Sequence, residues 1–252
     1  MRIIEHSRKM AVLSNNEIKS IKALANKKFR DEEGLFIVEG EKMVSEALKS
    51  SYEVVKVYRA DEIGEAAMGR ISQLSTPSPV LAVVRKPSSG AAVRPGKGLY
   101  LALDGIRDPG NMGTIIRIAD WFGLAGIFAT PDSVDIFNPK VVQSTMGAIF
   151  RVNFHYTDLC ALANSVRADG GRICGTFLDG ENIYDHEFAT GTDSPVVIVV
   201  GNESNGISKE MAARVTDRLF IPPYPADDPG SESLNAAVAT AITVAEFRRR
   251  IK

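Results

Sequence analysis

Short apolar runs alternate with helical patterns along most of this chain, and this alternation constrains the fold more than any other feature. Six such runs follow residue 97: LYLALDGI, GIFATP, RVNFHY, RICGTFLDG, PVVIVVGNE and RLFIPPY. The segments between them have helical spacing, and a last helix is predicted from about Leu234 to Arg250. Buried strands that alternate with helices are typical of a mostly parallel sheet covered on both faces. Ligands bind beyond the carboxyl ends of such strands.

Residues 1–86 predict a smaller α/β unit of the same kind. Its strands are GLFIVEG, YEVVKVYRA and VLAVVRKP, and its helices are NNEIKSIKALANKKF, EKMVSEALKS and EIGEAAMGRISQL. In the second helix we expect Met43, Val44, Ala47 and Leu48 to point inward. The stretch PSSGAAVRPGKG lacks periodicity and is rich in Pro, Gly and Ser, so we assign a linker to residues 87–97. A second domain would then span residues 98–252.

The composition excludes several classes of protein. With 44% apolar and 24% charged residues and a net charge of −1, the chain reads as soluble and globular. Cys160, Cys174 and three histidines are too few and too scattered for a structural zinc site, and we expect no metal. The N-terminus has no apolar signal core, and no run reaches transmembrane length. We therefore expect a cytoplasmic protein with free thiols.

The first 30 residues carry eight positive and two negative charges. Ile18, Ile21 and Leu24 recur at helical spacing, so they should face the core of the small unit and leave the basic side chains outside. Such a face predicts phosphate binding, although a solvated helix face is the alternative. Its cations are Lys19, Lys22, Lys27, Lys28 and Arg30.

The turn DPGNMG follows the strand LYLALDGI and opens a helix. A nucleotide phosphate often lies at such a position, yet the glycine spacing matches neither common phosphate-binding motif. We expect Asn111 to cap the helix, and Arg117 to lie on its polar face with Thr114. On spacing alone, a cap and a solvated helix charge would explain both residues.

A second loop, VVIVVGNESNGIS, places Glu203 at the carboxyl mouth of a strand, which is an unusual position for a mere surface charge. The alternative is that Glu203 caps the next helix, but Ser208 is already available for that.

A third loop, IPPYPADDPGSESLNAAVATAITVAEF, leads into an alanine-rich helix. We expect Ser233 to be its N-cap and Asn235 to lie in the first turn. Its small side chains let another helix approach closely, within the subunit or across a dimer. The terminal Arg248, Arg249 and Arg250 complement the helix dipole, which is the alternative to RNA contact.

Together, DGIRDPGNMGTIIRIAD, VGNESNGIS and IPPYPADDPGSESLNAAVA, in this order at strand-to-loop positions, resemble the three motifs of the SpoU (TrmH-like) RNA 2′-O-ribose methyltransferases of the SPOUT superfamily. The resemblance covers residues 98–247. The N-terminal unit resembles the small ribosomal-protein-like α/β domain with which many such enzymes hold RNA. The fold implied is α/β, with a deep trefoil knot in the C-terminal, mostly parallel sheet.

The resemblance also implies a methyl donor, S-adenosylmethionine, and a homodimer whose active site takes groups from both subunits. Structured RNA is the implied substrate, and a separate anchoring module favours ribosomal over transfer RNA. The catalytic set matches Asn111, Arg117, Glu203, Ser233 and Asn235. The donor pocket matches Thr176, Gly201, Ile221 and Leu234. Two departures are the sequence SLNAAVA, where the family commonly has a Val-Ser pair after the Asn, and a longer Ile221-to-Ser233 loop.

A ribose 2′-hydroxyl is a poor nucleophile, so its attack on a sulfonium methyl needs a base or stabilisation of the forming alkoxide. Arg117 matches the family's proposed base. A guanidinium resists deprotonation, and electrostatic stabilisation with phosphate positioning is at least as suitable a role. Two other classes stay open: a Rossmann-type enzyme, although no G-x-G-x-x-G follows a strand, and an RNA-binding module without activity.

Overall fold

The computed structural model describes residues 12–88, 93–187, 194–225 and 233–250. The chain divides into two compact units, which we call the N-terminal unit and the C-terminal unit. The N-terminal unit is Met1–Ser88 with Asp135–Phe150, and the C-terminal unit is Ser89–Val134 with Arg151–Lys252. In this grouping residues 135–150, which lie inside the second predicted domain, belong to the N-terminal unit.

The first 88 residues contain a three-stranded antiparallel sheet in the order β1-β3-β2. The strands are β1 (Leu35–Glu39), β2 (Val54–Arg59) and β3 (Val80–Arg85). The helices are α1 (Asn15–Ala23), α2 (Lys27–Glu33), α3 (Glu41–Lys49), α4 (Ala60–Ile63) and α5 (Glu65–Ile71).

Beyond residue 97, strands and helices alternate as predicted, and the strands form one parallel sheet in the order β6-β5-β4-β9-β7-β10-β8. The strands are β4 (Gly98–Asp104), β5 (Gly126–Ala129), β6 (Phe154–Tyr156), β7 (Arg172–Phe177), β8 (Glu181–Asn182), β9 (Pro195–Gly201) and β10 (Asp217–Phe220). The helices are α6 (Pro109–Trp121), α7 (Pro139–Thr145), a 3₁₀ turn (Ala148–Phe150), α8 (Leu159–Ala168), α9 (Lys209–Ala212) and α10 (Ala236–Arg250). The predicted α/β class is therefore confirmed, and β8 is a strand too short for sequence periodicity to reveal.

Both faces of the parallel sheet are covered, which explains why its strands read as continuous apolar runs. On one face, alternate residues of β4 and β9 pack with α8 and α9 in a core that includes Tyr100, Val197 and Leu162. The other alternate residues, such as Leu101 and Ile198, are equally buried, and α10 packs against β9 and α6. The loops that follow these strands therefore begin at a buried sheet that is packed on both faces.

The segment Asp135–Phe150 completes the core of the N-terminal unit. The ring of Phe137 lies 4.7 Å from that of Phe36, and the ring of Phe150 lies 5.2 Å from that of Tyr52. Residues that alternate with Phe36 along the sheet, such as Ile37 and Leu81, face the opposite side and pack with α1 and α5. Helices α1 and α5 thus cover one face of the sheet, and α3 and α7 cover the other.

A buried ion pair fastens this segment. Arg30 is only 2% exposed, and its Nε and Nη2 donate to Oδ2 of Asp135 at 3.1 and 2.7 Å. Its Nη1 donates to the carbonyl oxygens of Leu24 and Ala25, each at 2.8 Å. The prediction that Arg30 belongs to an exposed basic face is therefore wrong, because a distant carboxylate takes it into the core.

Several predicted helices end earlier than their periodicity suggests. The first predicted helix is two helices, because the side chain of Asn26 accepts a hydrogen bond from the Lys28 N–H and caps α2. The helix predicted at residues 62–74 is divided at Gly64, which has a φ of +86°.

The inward face of α3 is narrower than predicted. Met43, Val44 and Ala47 are buried, but Leu48 is exposed.

The predicted linker is only partly visible, since residues 89–92 lie outside the described residues. At its far end Arg94 donates to both carboxylate oxygens of Asp169, at 2.8 and 2.5 Å. No helix in the described part of the chain is long and apolar enough to cross a membrane.

Candidate active site

The three loops singled out in the sequence meet at the carboxyl edge of the parallel sheet. Strands β4 and β9 are neighbours, and their last residues, Asp104 and Gly201, are paired. Helix α6 follows β4 after a short turn, and Asn235, which directly precedes α10, is hydrogen-bonded to the first turn of α6. The carboxyl edge is where parallel sheets bind ligands.

Asp108, not Asn111, caps helix α6, so the predicted capping role is wrong. The side chain of Asp108 accepts a hydrogen bond from the Asn111 N–H at 2.7 Å, and Pro109 occupies the first helical position, where its missing N–H costs nothing. This leaves the carboxamide of Asn111 available for contacts outside its own helix.

The carboxamide of Asn111 joins all three motifs. Its Nδ2 donates to Oε1 of Glu203 at 3.0 Å, and its Oδ1 accepts from Nδ2 of Asn235 at 2.9 Å. Asn235 is also the N-cap of α10, because its Oδ1 accepts from the N–H groups of Ala237 and Val238 at 2.9 and 3.2 Å. The prediction that Ser233 caps α10 is therefore wrong.

The direction of this hydrogen-bond chain follows from the cap. Backbone N–H groups can only donate, so the cap of α10 fixes which atom of the Asn235 amide is the oxygen. Its nitrogen must then donate to Asn111, whose own nitrogen must donate to the carboxylate of Glu203. A polarised chain of two amides thus ends on a carboxylate at the edge of the sheet, and we call Asn111, Glu203 and Asn235 the motif triad.

Glu203 stands near the tip of a tight turn. Asn202 and Gly206 exchange two backbone hydrogen bonds, each of 2.9 Å. A Cβ at Gly201 would lie 2.2 Å from backbone atoms of Gly206 and Ile207, so no larger residue fits there. Ser208 caps α9, as predicted, and its N–H donates to Oδ2 of Asp104 at 2.7 Å. Glu203 therefore has no capping role and is available to the triad.

Arg117 and Ser233 are not part of the triad. Arg117 is exposed and has no hydrogen bond or ion pair within the described ranges. It shares an exposed stripe of α6 with Thr114 and with Trp121, which is 84% exposed. Ser233 is exposed as well and makes no hydrogen bond to a described residue, while residues 226–232 of the third motif lie outside the described part.

The residues matched to a donor pocket lie along the same edge. Thr176, Gly201 and Ile221 lie at or just beyond the ends of β7, β9 and β10, which are neighbours in the sheet. Leu234 directly precedes Asn235. The segments leaving this edge expose large apolar side chains, at Leu178, Tyr224 and Leu234. Exposed apolar side chains beside the polar triad suit a nucleoside ligand.

The loops after β4 and β5 are tied together beside the first motif, which the sequence did not reveal. The N–H of Gly105 donates to the hydroxyl of Thr130 at 2.9 Å, and Arg107 donates to Asp132 at 3.1 Å. Hydrogen bonds from Thr130 and then Arg107 lower the pKa of Asp132, so this carboxylate stays ionised. The bonded residues lie 25 positions apart in the chain, so no short sequence motif contains both members of either pair.

The far end of α10 serves stability. Arg248 donates to the carbonyl oxygens of Phe122 and Gly123, at 2.8 and 2.6 Å, and so covers the last turn of α6. Arg249 and Arg250 both donate to the buried carboxylate of Glu246. The terminal arginines are thus engaged within the chain. No cluster of His, Cys, Asp or Glu that could hold a metal ion occurs in the described part of the molecule.

This fold and this edge define a class: an α/β protein whose parallel sheet presents three polar loops at one carboxyl edge. Residues 98–245 match the SpoU rRNA Methylase family, and residues 15–83 match the MRM3-like substrate binding domain. The chain belongs to the SpoU rRNA methylase family.

Similar proteins extend the match over nearly the whole chain. The chain is 30% identical over 249 residues to the 23S rRNA (guanosine(2553)-2'-O)-methyltransferase RlmP of Bacillus subtilis (strain 168), covering 93% of this chain and 96% of that protein. A putative RNA methyltransferase of the TrmH family from Porphyromonas gingivalis has a TM-score of 0.86 at 39% identity, covering 95% and 100%. An AdoMet-bound rRNA methyltransferase from Sinorhizobium meliloti has a TM-score of 0.84 at 29% identity, covering 96% and 99%.

Proposed function

We propose that this protein transfers a methyl group from S-adenosylmethionine to a ribose 2′-hydroxyl of ribosomal RNA. The observation that carries the proposal is the motif triad, because three residues matched to a family's catalytic set lie up to 124 positions apart and are hydrogen-bonded to one another. The named relatives support the reaction and the RNA class, and the AdoMet-bound relative supports the donor.

The donor supplies an electrophilic methyl group on a sulfonium. The residues of the chain supply orientation and charge. Asn111, itself bonded by Asn235, donates to the carboxylate of Glu203 at the edge of the sheet, where a hydroxyl of the substrate could donate to that carboxylate. Arg117 presents a guanidinium that stabilises the forming alkoxide and the flanking phosphate of the RNA. Attack on a sulfonium methyl needs no Lewis acid, so we expect activity to survive chelation of divalent ions.

We also propose that the active site is completed by a second copy of the chain. Within one subunit the described contacts leave Arg117 outside the motif triad. Beside it, α6 exposes Trp121, and Val238 of α10 is 48% exposed. Ala237, by contrast, is 4% exposed and packs inside its own subunit, so the alanine-rich face serves internal packing there.

Mixing two inactive variants tests the shared site. Arg117→Ala and Glu203→Gln subunits, co-refolded, give mixed dimers in which one of the two sites carries both native residues. If sites are shared, activity should return to about a quarter of the native value, since about half the dimers are mixed and half their sites are intact. A mixture as inactive as its parents, or a monomer in light scattering of the unmodified chain, would contradict the proposal.

We assign donor binding to Thr176, Gly201, Ile221 and Leu234, mostly through backbone groups, and RNA anchoring to the N-terminal unit. The threaded trefoil knot of the C-terminal unit stays a prediction. So does a cytoplasmic location, which fits a protein that acts on ribosomal RNA and which cell fractionation would test.

The decisive experiment measures transfer of labelled methyl groups from S-adenosylmethionine to ribosomal RNA and to transfer RNA. We expect 2′-O-methylation of ribosomal RNA, at a site that disappears from RNA of cells lacking the protein. Methylation of transfer RNA alone would correct the substrate class. Calorimetry with S-adenosylmethionine and a nicotinamide nucleotide separates the other classes: an inactive RNA binder need not bind the first, and a dehydrogenase would prefer the second.

A further inference from the structure

The side chain of Asn202, which directly precedes Glu203, bonds two motif loops at once. Its Nδ2 donates to the carbonyl oxygen of Gly105 at 2.7 Å and lies 3.4 Å from Oε2 of Glu203. Its Oδ1 accepts from the N–H groups of Ser204 and Asn205 at 3.0 and 3.1 Å. The amide oxygen therefore shapes the turn, and the amide nitrogen ties that turn to the loop after β4.

The carboxylate of Glu203 depends on such donors, because its side chain is exposed and is not held by packing. One oxygen, Oε1, accepts from Asn111 at 3.0 Å and faces the Asp108 N–H at 3.4 Å. The other oxygen, Oε2, faces Asn202. Rotation about the last bond of a glutamate side chain is soft, so a donor on each oxygen is needed to fix the plane of the carboxylate.

The position of Asn202 is itself fixed by the backbone. It exchanges two hydrogen bonds with Gly206, and the contact with Gly105 is close because the two loops follow neighbouring strands. A side chain held at both ends in this way is preorganised, as a supporting residue of an active site must be.

We propose that Asn202 is a positioning residue that orients Glu203 for methyl transfer by holding the turn after β9 against the loop after β4. The proposal rests on the proposed function, since it concerns the rate of that reaction. Asn202 touches Glu203 and the two loops, and acts on the substrate only through them.

The substitution Asn202→Asp separates the two halves of the amide. The Asp side chain has the same shape and still accepts from the N–H groups of Ser204 and Asn205, so the turn can form. It cannot donate to Gly105, and it places a negative charge beside the carboxylate of Glu203, which repels it. Asn205→Asp is the matched control, because it adds the same charge to the same turn and the Asn205 side chain makes no hydrogen bond to a described residue.

We expect Asn202→Asp to lower kcat about 10- to 100-fold, the loss that follows from a misplacement of about 1 Å at a reacting group. The KM for RNA and the Kd for S-adenosylmethionine should change less than about twofold, because the bonds from Ser204 and Asn205 are kept and the backbone of the turn stays in place. Asn205→Asp should keep the native rate. Equal losses from both variants, or a loss expressed in KM alone, would overturn the positioning role.

A crystal structure of the Asn202→Asp protein decides the proposal independently of activity. We expect the Glu203 carboxylate to leave its hydrogen bond with Asn111; a carboxylate that stays in place overturns the proposal, even if the unmodified protein methylates no RNA and the proposed function fails. If this variant does not fold, Asn202→Ser replaces it. A serine hydroxyl still accepts from the turn but is too short to reach Gly105, so the same displacement and rate loss are expected.

Discussion

The two units are each closed by a contact between residues about a hundred positions apart, and the two contacts differ in burial. In the N-terminal unit, Arg30 and Asp135 are 105 residues apart and form an ion pair inside the core. In the C-terminal unit, Asn111 and Glu203 are 92 residues apart and meet at an open edge of the sheet. The first contact has no access to a ligand, so its role is stability. The second is open to solvent, and under the proposed function its loss should mainly affect rate.

The surroundings of the two contacts strengthen this distinction. The guanidinium of Arg30 has protein partners on every nitrogen, whereas the guanidinium of Arg117 has none within the described residues. A buried cation without its partner is costly. An exposed cation without a partner costs nothing and remains available to RNA. Four predictions test this contrast, beginning with the largest effect.

Arg117→Ala should abolish methyl transfer, with a loss of at least about 10³-fold, because the alkoxide and the RNA phosphate lose their cation. Donor affinity in calorimetry and the melting temperature should be nearly unchanged, since Arg117 is exposed and makes no hydrogen bond or ion pair to a described residue. Arg167→Ala removes an equal charge from the exposed face of α8 and is the control. A comparable loss of donor binding would break the contrast between rate and stability.

Asp135→Ala should lower the free energy of unfolding by about 3–5 kcal/mol, because it leaves the guanidinium of Arg30 buried without its carboxylate. Urea unfolding measures the change. The control, Glu32→Ala, removes the exposed partner of Lys28, 3.8 Å away, and should cost less than about 1 kcal/mol. If the two variants unfold alike, Arg30–Asp135 does not hold the N-terminal unit together.

Stability in acid should show that the far end of α10 has a role distinct from that of its N-cap, Asn235. The hydrogen bond from Arg249, with a second from Arg250, lowers the pKa of Glu246 to about 2. A lowered carboxyl pKa stabilises the fold above the unfolded pKa of about 4.3, and this contribution is lost as the pH falls from there towards 2. Its size should be on the order of 2 kcal/mol, since Arg249 is largely solvated.

Thermal unfolding of the native chain and of Glu246→Gln between about pH 5 and pH 2 measures this contribution. These limits enclose the unfolded pKa of about 4.3 and the folded pKa of about 2. The native chain should be the more stable at the upper limit, and the difference should vanish at the lower one. A difference that is constant with pH would show that packing, not ionisation, is responsible.

The smallest effect concerns the basic face of the N-terminal unit, where only some of the predicted cations are available. Lys27 pairs with Asp31 at 2.5 Å and Lys28 pairs with Glu32, whereas Lys19 and Lys22 are exposed and have no ion pair to a described residue. Arg2, Arg8 and Lys9 lie outside the described residues. If the face binds RNA phosphates, replacing Lys19 and Lys22 with Gln should flatten the slope of log affinity against log salt by about 1.4–1.8.

Replacing Lys27 and Lys28 instead should flatten the slope less, because their charges are already partly neutralised. An unchanged slope in both double variants would mean that this face is only solvated surface, and RNA capture would fall to the C-terminal unit. Donor binding should be unaffected in either.

Local pattern was enough to single out the three loops that the structure brings together at the carboxyl edge of the sheet. The apolar runs predicted the parallel sheet because strands that are buried on both faces are apolar at successive positions, and such runs alternate here with helical segments. The same runs placed Asn111, Glu203 and Asn235 at strand or helix ends. Caps were less certain: Asp108, Asn111, Ser233 and Asn235 are all good capping residues. Which residue caps depends on where the helix begins. Helix α6 is capped three residues before the predicted Asn111, and α10 is capped two residues after the predicted Ser233.

Only the tertiary structure decided which of these side chains meet. The bond between Asn111 and Glu203 exists because β4 and β9 become neighbours in the sheet, and the burial of Arg30 exists because α7 returns to cover the second face of a small sheet. Neither pairing changes the spacing of residues along the chain, so no periodicity records it. Sequence patterns report what each segment must bury; the choice of partner depends on the packing of all segments together, and Arg30, Asn202 and Asp135 acquire their roles only there.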